Sequence, residues 1–284
     1  MATAGPTTKP APAPHTPPRD NEIRIVSHST LFYWWPVWAI GFLMALVTFF
    51  SGQLMVTVPD GTKAESKRVI PWENNAERDV LIVPANHYLP HNKDQVEQPK
   101  LHVANSKNPG VLFCIIILLV VAITNVPLRG LWSVIVITLV LSISIILAIL
   151  GKWDDILTSL SYLDIRITLG GYVLLSGALF ILWVLIFFLF DKQIYMVFTP
   201  GQLRVRLEIG EAETAYDTTG MTIQKQRSDL FRHWILGLGS GDLIVKTAGA
   251  QAHHFDMPNV LFLGRKVKEI EEMLRSRQVV SGQQ

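Results

Sequence analysis

Four long apolar runs alternate with polar stretches along the chain, and their lengths predict membrane-spanning helices. The runs cover residues 31–50, 110–128, 131–150 and 170–190. The third run reads LWSVIVITLVLSISIILAIL and has no charged residue. About 20 helical residues cross a hydrocarbon core of roughly 30 Å, and a helix satisfies its own backbone hydrogen bonds there. The pattern therefore predicts a multi-pass membrane protein with a four-helix transmembrane domain over residues 31–192.

The polar stretches differ in character. The first 20 residues are rich in Pro and Ala and lack large aliphatic side chains, so we assign residues 1–30 to a disordered Pro-rich tail. Residues 51–109 form a long polar loop, in which β-branched runs at 54–58 and 80–83 are candidate short strands. Because Pro and Asn are frequent in this loop, the sequence predicts only a small ordered excursion outside the membrane.

A short amphipathic helix is predicted at residues 153–164, between the third and fourth runs. Its apolar residues follow the three-and-four spacing of one helix face. It is too short to cross a bilayer, so we expect it to lie in the interface plane. Asp154 and Asp155 fall in its first turn, where they favour the helix dipole. Paired carboxylates also suit cation binding or acid and base chemistry.

Only Arg129 and Gly130 separate the second and third runs. So short a link predicts that these two helices are antiparallel neighbours. No run has a charged residue in its middle, whereas proton-coupled carriers and ion pathways usually need ionisable groups there. The pattern therefore argues against a transporter.

Composition and charge exclude some classes of protein. The chain has 284 residues, of which 17% are charged, and its mean hydropathy of +0.32 is high for a soluble protein. The net charge of +2 gives no reason to expect the concentrated basic face that binds nucleic acid. Cys114 is the single cysteine, so an intramolecular disulfide is excluded.

From residue 193 the pattern changes to short strands followed by one helix. The stretch LRVRLEIG alternates apolar and charged side chains, and this period of two is typical of a half-buried strand. After Pro258 the apolar spacing becomes helical. Residues 193–277 therefore predict a small α+β domain of antiparallel strands closed by a C-terminal helix, with residues 278–284 as a tail.

Within this domain, Ser228–Gly249 reads SDLFRHWILGLGSGDLIVKTAG. A hydrophobic stretch runs into a Gly-x-Gly turn and then into a strand. In this the domain resembles the bacterial pleckstrin-homology-like (PH-like) domains that follow transmembrane helices in many bacterial membrane proteins. The resemblance covers residues 193–277. It implies a PH-like antiparallel β-barrel capped by the C-terminal helix, a binding or assembly role, and no catalytic residues.

Tryptophans cluster at the beginning of the first run. Trp34, Trp35 and Trp38 are predicted to mark the membrane interface, because amphipathic rings favour the headgroup level. Trp153 is assigned the same anchoring role at the start of the amphipathic helix. A cluster of tryptophans also suits stacking against a ligand, and the sequence leaves that alternative open.

A basic cluster lies within the C-terminal domain. Its members are Lys225, Arg227, Arg232 and His233, and Trp234 lies beside them. If the domain lies beneath an anionic leaflet, basic side chains there each contribute about 1 kcal/mol of attraction. We therefore predict a lipid-facing or partner-facing surface at these residues. The alternative is an ordinary solvated strand and turn with Trp234 in the core.

No motif indicates a metal, a cofactor or a catalytic site. Loop histidines lack a metal-binding spacing, a Gly-rich turn lacks the Lys-Ser or Lys-Thr pair of a phosphate loop, and adjacent strand histidines point to opposite faces. The loop histidines are His87, His91 and His102, and the Gly-rich turn contains Gly237, Gly239 and Gly241. The strand histidines are His253 and His254, with Asp256 beside them. We expect no cofactor and no enzyme activity.

These patterns favour a non-catalytic interaction or assembly protein, a scaffold or adaptor, that presents a PH-like domain at the membrane surface. We expect it in the bacterial inner (cytoplasmic) membrane, in contact with lipids and with a second copy or another membrane protein. Four spans place both termini on one side, and the resemblance and the missing disulfide framework favour the cytoplasm. The alternatives are a small transporter or channel subunit and a lipid-modifying membrane enzyme.

Overall fold

The computed structural model describes residues 22–70, 76–92, 95–126, 130–210, 212–226, 229–249 and 252–281. The chain forms two compact units that alternate along the sequence. The β unit comprises the described residues of Met1–Ser29, Leu189–Arg227 and Gly237–Gln284, and the helical unit comprises those of Thr30–Phe188 and Ser228–Leu236. The chain therefore contributes to the helical unit twice, the second time through a short segment.

The elements are numbered in chain order. The helices are α1 (Trp35–Phe50), α2 (Asn108–Asn125), α3 (Leu131–Ile149), α4 (Trp153–Ser161), α5 (Leu169–Leu185) and α6 (Leu263–Ser281). The strands are β1 (Ile23–Val26), β2 (Gln53–Met55), β3 (Lys63–Ile70), β4 (Ala76–Ile82), β5 (His91–Asn92), β6 (Gln95–Val96), β7 (Leu101–Val103), β8 (Tyr195–Phe198), β9 (Gln202–Arg206), β10 (Thr214–Asp217), β11 (Thr222–Gln226), β12 (Gly241–Lys246) and β13 (His254–Val260).

The helical unit contains the predicted spans. Among the described residues, four helical stretches are long and apolar enough to cross a membrane. They are Thr30–Phe50, Asn108–Asn125, Leu131–Ile149 and Leu169–Gln193. The prediction of a multi-pass protein with four membrane helices is confirmed. Each span agrees with its predicted run because length and hydropathy are local properties that lipid selects directly.

The core of the helical unit is formed where α1 packs against α5 and α2. Its buried apolar side chains are Val37, Met44, Ala45, Phe113, Val120 and Tyr172. Gly41 allows α1 to approach both neighbours, since an added Cβ would overlap Ser176 Oγ and lie 2.9 Å from Phe113 Cε2. A small residue at such a contact is typical of helix packing in membranes.

The third span is placed differently from the prediction. The link between α2 and α3 lies partly outside the described residues, and the two helices do not form the extended interface expected of an antiparallel hairpin. Only Ser133 of α3 is buried. The hairpin prediction is wrong because lipid tails solvate an apolar helix as well as another helix does, so a short link alone does not force pairing.

The long loop between α1 and α2 contains three small antiparallel strand pairs. They are β2 with β7, β3 with β4, and β5 with β6. β2 begins three residues after α1 ends, and β7 ends shortly before α2 begins. The described part of this loop is therefore ordered, and strands lie at or beside both predicted β-branched runs.

An ion pair connects the beginning of α2 to the segment before α5. Lys107 Nζ lies 2.9 Å from Asp164 Oδ1, and the hydrogen bond and charge of this ammonium hold the pKa of the Asp164 carboxyl below its usual range. Because the pKa is lowered in the folded state, the charged carboxyl stabilises that state at pH values above the ordinary pKa of about 3.9. This contribution to the free energy of unfolding is lost as the pH falls through the lowered pKa. The Asp164 carboxylate therefore keeps its charge to a lower pH than a free aspartate does.

We expect Lys107→Gln to raise the pKa of Asp164 towards its ordinary value, because the main cause of the lowering is removed. NMR titration of the Asp164 carboxyl carbon measures this change. Lys152→Gln, which removes the partner of Asp155 at 2.8 Å, is the matched control and leaves the titration of Asp164 unchanged. Identical Asp164 titrations in the wild type and Lys107→Gln would contradict the pairing.

The β unit has two antiparallel sheets and one helix around a single core. One sheet has the order β1-β8-β9-β10 and the other β11-β12-β13. Both sheets and α6 contribute buried side chains to this core, among them Ile25, Met196, Leu203, Leu243, Met257 and Ile270. The predicted antiparallel strands with a C-terminal helix are present. No closed barrel is found among the described strands, so the PH-like barrel stays a prediction.

The N-terminal strand corrects the prediction for residues 1–30. The composition of these residues predicts a disordered tail, whereas Ile23–Val26 pairs with β8 and buries Ile25 completely. Four residues of alternating pattern are too few to predict a strand when the partner lies beyond the fourth span. Because β1 precedes the first span and β8 follows the last, this pairing brings residues from before and after the four-span stretch into one sheet.

Candidate functional site

A short segment between two strands of the β unit belongs to the helical unit. Residues 229–236, which we call the inserted segment, follow β11 in the chain and include a π-helical turn, Phe231–Leu236. The indole N–H of Trp35 donates a 2.9 Å hydrogen bond to the Leu236 carbonyl. The Tyr33 hydroxyl lies 3.3 Å from His233 Nδ1. The inserted segment is therefore hydrogen-bonded to the beginning of the first span.

Four residues form a buried polar cluster at this attachment: Tyr33, Asp229, Arg232 and His233. Asp229 and His233 are each only 2% exposed. Asp229 Oδ1 accepts a 3.0 Å hydrogen bond from the Arg232 backbone N–H, and Asp229 Oδ2 lies 3.7 Å from Arg232 Nε. Because a buried charge is costly unless it is paired and hydrogen-bonded, Asp229 and Arg232 stabilise the turn of the inserted segment itself, whereas Tyr33 and His233 connect this turn to the beginning of the first span.

Beside the polar cluster lies an apolar groove with a cavity volume of about 570 Å³. Its walls are Ile137, Val140 and Leu141 of α3 and Leu230, Phe231, Trp234 and Ile235 of the inserted segment. Trp234 is 77% exposed and Ile235 is 52% exposed. Large apolar side chains exposed in this way mark a surface for lipid or protein.

The groove lies beyond the first turn of α3. Trp132, in that turn, is 68% exposed and suits the headgroup level of a membrane. At 1.5 Å per residue, Ile137 lies about 8 Å and Leu141 about 14 Å further along the helix axis. If α3 crosses a membrane with Trp132 at the headgroups, the groove reaches into the hydrocarbon of one leaflet.

The predicted basic surface is divided between the two units. Lys225 is exposed on β11 in the β unit, whereas Arg232, His233 and Trp234 belong to the helical unit. Arg227 lies outside the described residues. Arg232 is paired with Asp229, His233 is buried, and Trp234 lines the groove instead of lying in a core.

The predicted interface tryptophans make specific contacts in the helical unit. Trp34 is half-buried in the 3-10 turn before α1. Trp38 packs against Phe180 and Trp183 of α5, with ring centroids 4.9 and 5.7 Å apart. Trp153 donates to the Ser144 carbonyl of α3 at 3.3 Å. Together with the Trp35 bond to Leu236, these contacts give three of the four tryptophans a packing role within the unit.

The other candidate sites resolve into local contacts. Within the described ranges, no group of three or more His, Cys, Asp or Glu side chains could hold a metal ion. Asp155 pairs with Lys152 of its own helix end. The Gly-rich stretch forms a tight turn before β12, in which the Ser240 N–H donates to the Gly237 carbonyl at 2.9 Å and Gly239 has φ +84°.

A second buried polar group holds the β unit together. His28 Nδ1 lies 3.0 Å from Asp191 Oδ2, and the Ser29 N–H donates to Asp191 Oδ1 at 3.2 Å. The Asn259 side-chain amide donates to the His28 carbonyl at 2.9 Å. These bonds connect the segment before the first span with the last residues of the fourth span and the end of β13, so we assign them a structural role.

Sequence reasoning missed Tyr33 and Asp229 as members of the polar cluster. The signal that marks the inserted segment is its composition, since Leu230, Phe231, Trp234 and Ile235 are too many large apolar residues for a solvated turn. Comparison with known proteins gives no match to a family model, to a curated protein or to a solved structure.

Proposed function

We propose that this chain is a non-catalytic membrane-anchored assembly protein that binds a partner helix within the membrane through α3. The observation that carries the proposal is that α3 spans the membrane while burying only Ser133 within its own chain. The core of α1, α2 and α5 is formed without it. A span that contributes so little to its own unit has most of its surface available to another molecule.

One face of α3 suits close contact with a partner helix. The outer face, as we call it, consists of Ile135, Thr138, Leu139, Ser142 and Ile146. At 3.6 residues per turn it lies opposite the residues that line the groove, and all five are exposed. Thr138 and Ser142, four residues apart, are small enough for a second helix to approach closely and carry hydroxyls that hydrogen-bond across helices.

The β unit supplies the second part of the proposal. A PH-like domain in the bacterial cytoplasm, presented by an inner-membrane anchor, would recruit partners at the membrane surface. Its support is the resemblance over residues 193–277, together with two antiparallel sheets and α6 around one core. The pairing of β1 with β8 is consistent with a domain on one side of the membrane.

Photo-crosslinking tests the α3 interface. In a Cys114→Ala background, Ser142→Cys is coupled to benzophenone maleimide and irradiated in native membranes. We expect a protein adduct from position 142, with twice the 31.8 kDa mass of the chain if the partner is a second copy. Val140→Cys, on the groove side of the same helix, is the control and yields no protein adduct. Equal adducts at both positions, or none at either, would contradict the proposal.

A small transporter or channel subunit is the second candidate. The observation that favours it is the polar cluster, since ionisable residues within a membrane unit often mark a substrate or ion pathway. Under this alternative, proteoliposomes containing the chain carry a proton or ion flux that Asp229→Asn abolishes. Under the assembly proposal the flux equals that of empty liposomes.

A further inference from the structure

We infer that the apolar groove is a binding site for one acyl chain of a bilayer phospholipid. The groove separates α3 from the inserted segment at the depth of the hydrocarbon, and its cavity of about 570 Å³ is within the range of ligand pockets. This site goes beyond the proposed function, because it uses the side of α3 that faces away from the outer face.

The chemistry of the walls selects a lipid chain over a protein helix. The described residues that line the groove all have large or branched, mainly apolar side chains, and none of them is Gly, Ala, Ser or Thr. Close helix packing in membranes depends on small residues at the contact, which the outer face offers and the groove does not. A flexible chain of methylene groups fills an irregular apolar groove without needing a polar partner.

The level of the groove defines which part of the lipid it takes. The groove begins about five residues, or roughly 8 Å, beyond Trp132 along α3. Because an exposed Trp at the end of a span lies near the headgroups, the phospholipid headgroup lies at the level of Trp132 and its acyl chain extends towards Leu141. The site belongs to the leaflet at the N-terminal end of α3.

A bound acyl chain explains how α3 is positioned beside the rest of its unit. The groove wall of α3 faces Trp234 and Ile235, whose side chains are largely exposed. An acyl chain between them contacts both walls and buries these side chains. The lipid therefore acts as a structural component that connects α3 to the inserted segment.

The first experiment uses the unaltered full chain in phosphatidylcholine vesicles containing a trace of phosphatidylcholine with a diazirine in one acyl chain. After irradiation, peptide mass spectrometry maps the adducts. We expect adducts on the groove residues to exceed those on the outer face about tenfold, because the groove contacts the chain on both sides. Equal labelling of both faces would show ordinary surrounding lipid only, and a groove crosslinked to a second copy would show a protein occupant. Either result overturns the inference.

A matched pair of variants tests the same site by filling it. Val140→Trp places an indole in the groove, whereas Leu139→Trp places the same group on the opposite face of α3. We expect Val140→Trp to reduce adducts on Trp234 and Ile235 about tenfold, with Leu139→Trp at the wild-type level. Adducts unchanged in Val140→Trp would overturn the inference. Leu139→Trp can be combined with the benzophenone at position 142. If that adduct is lost, the result bears on the proposed partner helix and not on the acyl-chain site.

Discussion

Asp229→Ala is expected to destabilise the turn of the inserted segment and to lower the free energy of unfolding by about 2 kcal/mol. The substitution removes the acceptor for the Arg232 backbone N–H at 3.0 Å and the carboxylate 3.7 Å from Arg232 Nε. The Arg232 side chain is only 14% exposed, so its charge would lose a partner in a place with little water to replace it. The cost is mainly that of a lost acceptor and a lost ion-pair partner at a site with little water.

Thermal unfolding in detergent micelles, followed by circular dichroism, measures this loss. Asp229→Asn is the informative comparison, because it keeps an oxygen acceptor for the backbone while removing the charge, and we expect it to lose less stability than Asp229→Ala. Asp217→Ala, at an exposed turn of the β unit where Asp217 accepts from Thr219, is the control for removing a carboxylate elsewhere. Equal stability of Asp229→Ala and Asp217→Ala would refute the role of the polar cluster.

Gly41→Leu is expected to separate α1 from α5 and to prevent assembly of the helical unit. An added Cβ already overlaps Ser176 Oγ and lies 2.9 Å from Phe113 Cε2, so a longer side chain has no space. Gly41→Ala, the smallest increment, costs about 1–3 kcal/mol because overpacking forces a backbone shift. Unfolding by SDS titration in mixed micelles measures both losses.

Two variants show whether the contact itself is responsible. Gly177 lies in α5 next to Ser176, and a Cβ added there would meet nothing within 4 Å. Gly177→Ala is therefore expected to keep wild-type stability. Combining Gly41→Ala with Ser176→Gly removes the overlapping hydroxymethyl group and should restore part of the lost stability. If Gly41→Ala and Gly177→Ala both unfolded at the same SDS concentration as the wild type, the close approach of α1 to α5 would be disproved.

We propose separate roles for the two faces of α3. The groove side is built from bulky side chains and is proposed to take a lipid chain, and the outer face carries Thr138 and Ser142 and is proposed to take a partner helix. The groove residues and the outer face share no side chain. The Val140→Trp and Leu139→Trp variants therefore test the two faces separately.

The sequence by itself determined the four spans, the amphipathic helix α4, and the strands and helix of the β unit that follow residue 193. These features depend on local composition, since length and hydropathy select a span and period selects a helix or a strand. The prediction for α4 began at Trp153 and extended three residues beyond the observed end at Ser161. Such boundaries are weakly specified because helix ends fray.

Only the tertiary structure decided where distant segments meet. Ile23 pairs with Phe198 across all four spans, and the Tyr33 hydroxyl meets His233 across 200 residues. No local pattern encodes such partners, because each depends on the complementary surface of a folded neighbour. The same reason accounts for α3, whose apolar sequence resembles that of the packed spans although its surface stays open. In lipid, hydropathy makes a helix cross the membrane, whereas side-chain packing and interhelical hydrogen bonds decide which molecule it contacts.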